Sequence, residues 1–157
     1  TVGSGTYTPA NVTALQALTD SHVSINGSSI AYTPPSGATE VIYEFQYKIA
    51  WASVAVGIYH TAMRIDGTQI TGTRQTTGAS GTYDQLHNTF KWRIPIGGTA
   101  STATGRVASW TSAKTIDMTA RRYNNSYAGN LFYTHYWDGG SSNLPIDLPI
   151  LTITALK

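Results

Sequence analysis

Cysteine is absent from this chain of 157 residues. Disulfides, thiolate nucleophiles and cysteine-based zinc or iron–sulfur sites are thereby excluded, while the compartment stays open, because large β-domains outside cells need no disulfide. Charge is scarce too: Asp, Glu, Lys and Arg together make up 11% of the residues, against 41% hydrophobic. The solvated surface must then be built from Ser, Thr, Asn, Gln and Gly. Such a composition is common in secreted or particle-borne β-proteins, and the weak mutual repulsion suits close packing of copies. No basic block accompanies the net charge of +2, so nucleic acid is not an expected partner. No apolar stretch reaches the roughly 18 residues of a membrane-spanning helix, and Thr1-Val2-Gly3 has no basic-then-apolar signal layout, so membrane insertion is not expected.

What the chain does have is alternation with period two. Val41, Tyr43, Phe45, Tyr47 and Ile49 alternate with Ile42, Glu44, Gln46 and Lys48, the pattern of a half-buried strand in an antiparallel sheet. A second run, from Val54 to Ile65, stops at Asp66-Gly67, a pair suited to a tight hairpin turn. These two strands form the expected centre, with a bend or bulge around Trp51, Ala52, Ser53 and Gly57. His22 to Ile25 and Ser29 to Thr33, joined at Asn26-Gly27, read as a small β-hairpin. Val12 to Leu18 fits a short helical turn or an irregular edge strand. Gln69 to Arg74 reads as a further strand, and Thr76 to Tyr83 as an exposed Gly, Ser and Thr loop. Leu86 to Ile94, Thr115 to Tyr123, Leu131 to Trp137 and Ile150 to Leu156 complete the strand set, and no strong internal repeat supports a propeller or solenoid. Thr1 to Thr8 reads as an N-terminal arm or linker, and residues 9–157 as a single domain. The expected fold is all-β, an antiparallel β-sandwich of about eight strands with a jelly-roll-like winding.

Chemistry is harder to place. The acids Asp20, Glu40, Glu44, Asp66, Asp84, Asp117, Asp138 and Asp147 are scattered among turns and strands, with no close pair of the kind a glycosidase uses. His22, His60, His87 and His135 lack metal-ligand spacing and fit polar contacts at a surface or protomer boundary, so no metal or other cofactor is expected. Neither a nucleophile elbow nor a phosphate-binding glycine loop occurs, and the expected role is not enzymatic. The informative group lies late in the chain: Arg121, Tyr123, Asn125, Tyr127, His135, Trp137, Asp138 and Asn143. Sugars need this mixture, because their apolar ring faces stack on aromatics while their hydroxyls find planar hydrogen-bond partners. The expected binding loops are Thr76 to Asp84 and Asp138 to Asn143, with Tyr123 to Asn130 beside them. The competing reading makes Phe132, Tyr133 and Trp137 core or subunit-interface residues.

Three stretches carry a resemblance. They are Ile30-Ala31-Tyr32-Thr33-Pro34-Pro35-Ser36-Gly37-Ala38-Thr39 with the long strand after it, Met63-Arg64-Ile65-Asp66-Gly67, and Pro149-Ile150-Leu151-Thr152-Ile153. Over residues 22–156 their layout resembles the C-terminal β-domains of bacteriophage tail fibres, head fibres and related virion appendages. The resemblance implies a homotrimeric module on the virion surface, outside cells, that attaches to a bacterial-surface glycan through exposed loops. Two alternatives stand beside it: a structural head-fibre or capsid-decoration domain bound to a neighbouring virion protein, and a polysaccharide-degrading spike domain.

Overall fold

The computed structural model describes residues 12–50, 57–79, 85–127, 129–134 and 146–157. The expected arm at Thr1 to Thr8 and the bend at Trp51 to Ser53 lie outside them. The described residues form eleven strands, one 3-10 turn and no α-helix. The fold is all-β, with two antiparallel sheets.

The first sheet is organised on β4 (Glu40–Ala50), whose Val41, Tyr43, Phe45, Tyr47 and Ile49 are all buried, as the alternation requires. On one side β8 (Gln85–Pro95) pairs along its whole length, from Glu40↔Pro95 to Ala50↔Gln85. The other side is shared by β11 (Ile150–Leu156) and β10 (Asn130–Leu131), with β1 (Gln16–Ala17) outside β10. Val12 to Leu18 therefore contributes an edge strand, not a helical turn. The strand expected from Leu131 stops after one residue, because Phe132 takes a positive φ of 67° that turns the chain and buries its ring completely.

The second sheet is organised on β5 (Gly57–Ile65) and β9 (Lys114–Arg122), paired from Tyr59↔Arg122 to Ile65↔Ile116. Hence the two strands expected to form one centre are the centres of opposite sheets. Asp66 and Gly67 both have positive φ, as a two-residue hairpin turn needs, and β5 leads through them into β6 (Thr68–Gln69). Beyond the 3-10 turn Thr71–Thr73, β7 (Gln75–Ala79) returns to the same edge of β5. The start of the expected Thr76 loop is thus a strand; a Thr-rich segment suits a sheet edge, and residues 80–84 lie outside the description.

Nor do β2 (Val23–Ser24) and β3 (Ile30–Tyr32) form a hairpin: both run antiparallel to β9, one after the other along its free edge. The chain leaves the ladder between them and rejoins it. Ile25 N–H donates to the Met118 carbonyl (2.8 Å), and the Ser28 hydroxyl accepts the Met118 N–H (3.1 Å) while donating to the Ile25 carbonyl (2.7 Å). The opposite edge repeats the device. Ile70 N–H donates to the Met63 carbonyl (2.9 Å), and the Thr73 hydroxyl accepts the Met63 N–H (2.9 Å) while donating to the Ile70 carbonyl (2.6 Å). Met63 and Met118 face each other in the central register. Two segments of the form Ile-x-Gly-Ser/Thr, Ile25-Asn26-Gly27-Ser28 and Ile70-Thr71-Gly72-Thr73, therefore flank the sheet as a local pseudo-twofold pair. Their glycines serve different needs: Gly27 has φ 76°, whereas a Cβ on Gly72 would strike the Ala103 carbonyl.

Between the sheets, the inward residues of β4 meet Tyr59, Met63, Ile65, Ile116, Met118 and Ala120 in one core cluster. Polar links cross it: Tyr43 donates to the Ser28 carbonyl (2.6 Å), and Tyr47 is hydrogen-bonded to Thr61. Burial pushes the Tyr47 phenol up to about 12. Among the described residues no helix is long and apolar enough to cross a membrane.

Candidate functional site

The inward residues of β9 are Ile116, Met118 and Ala120, so Asp117, Thr119 and Arg121 project from the outer face of the second sheet. By the same parity β5 presents His60 and Arg64 there. Register then decides the neighbours: Arg64 lies opposite Asp117, and His60 lies opposite Arg121. The first match is a salt bridge, with the Arg64 guanidinium on both Asp117 oxygens and the Ser24 hydroxyl donating to the same carboxylate. The second sets two basic side chains against each other.

Around that basic pair the sheet forms a groove of about 340 Å³, lined by His22, His60, Arg74, Gln75, Thr76 and Arg121 among others. His22 Nδ1 lies 3.1 Å from the Thr119 hydroxyl, and His60 Nδ1 lies 3.0 Å from the Thr76 hydroxyl. His60 Nε2 is covered from solvent and has no hydrogen-bond partner, an uncompensated polar atom at the groove wall. Arg74 Nε donates to Gln69 (2.7 Å), and Arg121 Nη1 donates to the carbonyls of Arg122 (3.2 Å) and Tyr123 (3.4 Å). Both imidazoles are held below the usual histidine pKa. For His22 the largest cause is partial burial, followed by the charges of Arg121, His60, Arg64 and Arg74; for His60 it is burial followed by Arg121.

An aromatic step borders this groove. Tyr123 is 51% exposed, with its ring 6.1 Å from that of His60 and 5.6 Å, edge to face, from that of Tyr127. The turn carrying them is pinned by Asn124, whose side chain accepts the Ser126 N–H (2.9 Å) and whose carbonyl accepts the Tyr127 N–H (3.0 Å). Asn125 is exposed on the same turn.

Of the residues expected to bind a ligand, Arg121, Tyr123 and Tyr127 are brought together, with Asn125 close in the chain. His135, Trp137, Asp138 and Asn143 lie outside the described residues, as does the loop from Asp138. Phe132 is a core residue, as the competing reading has it. Arg122 belongs elsewhere, paired with Asp20 at 2.7 Å. Thr76 opens one of the expected binding loops, but sequence spacing gives no hint of His22, His60 or Arg74 as site residues. The one available signal is parity, since His60 and Arg64 fall on the polar phase of an otherwise apolar strand.

Charge distribution sets this groove apart. Among the described residues five of the six Asp and Glu side chains pair with a Lys or Arg, Asp20 with Arg122, Glu40 with Arg93, Glu44 with Lys91, Asp66 with Lys114 and Asp117 with Arg64, and Asp147 lies 3.7 Å from the His87 ring. Lys48, Arg74, Arg106, Arg121 and Lys157 have no such partner among the described residues, and two of them, Arg74 and Arg121, line the groove. Among the described residues there are also depressions under the Pro34-Pro35 loop and between Asp66 and Arg106; the second holds one unmatched cation, Arg106, but neither sets two beside an exposed aromatic ring. Among the described residues no three His, Asp or Glu side chains are grouped to hold a metal ion. Comparison of the chain with protein-family models, with curated proteins and with solved structures finds no match in any of the three.

Proposed function

We propose that this chain is a non-enzymatic attachment module of a bacteriophage tail fibre or related virion appendage. On this reading it is a jelly-roll-like homotrimer on the virion surface, and it binds a bacterial-surface glycan on the outer face of its second sheet. The observation that carries the reading is the exposed Tyr123 ring beside a polar groove: a flat apolar surface and a set of hydrogen-bonding groups within one sugar's reach. Weak single-site affinity then suffices, because three linked copies multiply it.

One observation favours a second reading, contact with a neighbouring virion protein. Ile150, the first residue of β11, and Leu148, two residues before it, are 57% and 62% exposed and do not line the groove. They suit either the trimer contact or such a partner. A polysaccharide-cleaving role has less support, because five of the six described Asp and Glu side chains are already held by a Lys or Arg.

The test is binding of the purified chain to a bacterial-surface glycan array, with oligomeric mass measured on the same samples. A glycan signal from an intact trimer is expected, and Tyr123→Ala should weaken it about tenfold, the size of one lost ring contact, without changing the mass. An intact trimer silent across all host glycans would hand the function to the protein partner.

A further inference from the structure

We infer that the groove between His22, His60, Arg74 and Arg121 is an oxyanion subsite that takes the carboxylate of an acidic sugar, seated beside a ring stacked on Tyr123. This inference rests on the glycan-binding reading and narrows it to a substrate class.

The reason is local charge. Opposite charges facing each other across a sheet are stabilising and like charges are not, yet this face sets His60 directly opposite Arg121 and places His22 and Arg74 on the same groove. Among the described residues Arg74 and Arg121 have no carboxylate partner, and Asp117, on the same face, is committed to Arg64 and Ser24. The guanidinium of Arg121 uses Nη1 on two carbonyls and that of Arg74 uses Nε on Gln69, which leaves each with donors for an incoming oxyanion. A carboxylate is planar and matches the guanidinium fork, and in a sugar it comes attached to a ring with an apolar face for Tyr123. A simple anion would leave the aromatic step without a role.

Protonation follows. The groups around His22 and His60 are Arg64 from β5, Thr119 and Arg121 from β9, Thr76 from β7, Arg74 after the 3-10 turn and Tyr123, with Asp117 on the same face of β9. Asp117, the one acid, is neutralised by Arg64. Without ligand, burial and the surrounding cations keep both imidazoles below the ordinary histidine pKa. A bound carboxylate raises them, so the complex holds more protons than the free protein and affinity rises as pH falls.

The experiment is titration of the full chain with a glucuronate-containing oligosaccharide, its carboxyl-reduced neutral counterpart and inorganic phosphate, at pH 7.5 and 5.5 and at two salt concentrations. The acidic sugar should bind at least about tenfold tighter than the reduced one, as expected for a charge-assisted contact. It should gain affinity at the lower pH and lose it in high salt. Arg121→Gln and the exposed Arg74→Gln should each abolish most of the preference, while Arg93→Gln on the other sheet should leave it intact. Equal binding of the acidic and reduced sugars overturns the inference and leaves the glycan reading standing. Phosphate binding as tightly as the acidic sugar, unaffected by Tyr123→Ala, overturns the assignment to a sugar. Loss of every saccharide signal overturns both.

Discussion

The two sheets solve the same problem in different ways. The first is a continuous ladder: β4 and β8 pair over eleven residues, and the outer face is closed by cross-strand ion pairs, Glu44 with Lys91 at 3.0 Å and Glu40 with Arg93. The second is interrupted on both edges, where the chain leaves the ladder at Ile25 and Ile70 and a hydroxyl stands in for the missing strand. Its outer face has a matched pair at Arg64 and Asp117 and a mismatched one at His60 and Arg121. The first sheet also sets Lys48 opposite His87, but Asp147 lies 3.7 Å from that imidazole; in the second no described carboxylate pairs with either His60 or Arg121, and that is where the groove and the exposed tyrosine lie.

The largest effects should come from the edge hydroxyls. Ser28 is fully buried and Thr73 is 1% exposed. Ser28→Ala strips the Met118 N–H of its acceptor, and Thr73→Ala does the same to Met63. A buried amide without a partner costs about 1–3 kcal/mol, so each variant should lose that much in denaturant unfolding. Thr73→Ser, which keeps the hydroxyl, should recover most of it. If both alanine variants unfold at the wild-type midpoint, the hydroxyls are not substitutes for a strand and the contrast between the sheets collapses.

This device also marks the limit of what the sequence discloses. The long strands are legible because a buried face and a polar face alternate with period two over seven to eleven residues, as in β4, β8 and β11. Asn26-Gly27 suggests a hairpin because its dihedral preference is local, but the pairing partner is set by β9, whose Met118 needs an acceptor. A four-residue likeness between Ile25-Asn26-Gly27-Ser28 and Ile70-Thr71-Gly72-Thr73 is too short to stand out in a chain so rich in Gly, Ser and Thr. The site divides the same way. Arg121, Tyr123 and Tyr127 are near in sequence and show as a group, whereas His22, His60 and Arg74 reach the groove only through the register of β2, β5 and β9.

Breaking the matched pair tests the charge side of the contrast. Asp117 has a side chain 5% exposed, against 31% for Arg64. Asp117→Ala leaves Arg64 half-buried without its carboxylate, removes the acceptor for Ser24 and makes the outer face wholly cationic. A loss of about 2 kcal/mol is expected, less than for a fully buried pair because Arg64 still reaches water. Salt should restore part of it, since added ions screen the remaining repulsion.

A smaller effect separates the faces by pH. His22 and His60 have folded-state pKa values below those of the unfolded chain. As pH falls from 7.5 through 6.5 toward 5.5, the unfolded chain takes up protons that the folded one resists, so stability falls with pH in this window. The double variant His22→Asn, His60→Asn should flatten that slope, as followed by thermal unfolding at each pH. Ligand binding should run the other way, strengthening over the same interval, which separates a site held open for an anion from a merely strained surface.

The smallest effect belongs to the regular sheet. Glu44→Gln removes the partner of Lys91, whose side chain is 60% exposed, so the pair is well solvated and its two long side chains are ordered at an entropic cost. The expected change in stability is the smallest of the series, with no change in saccharide binding. A loss as large as that of Asp117→Ala would mean that the first sheet depends on its surface charges as heavily as the second. The imbalance at His60 and Arg121 would then no longer distinguish the face proposed to bind the ligand.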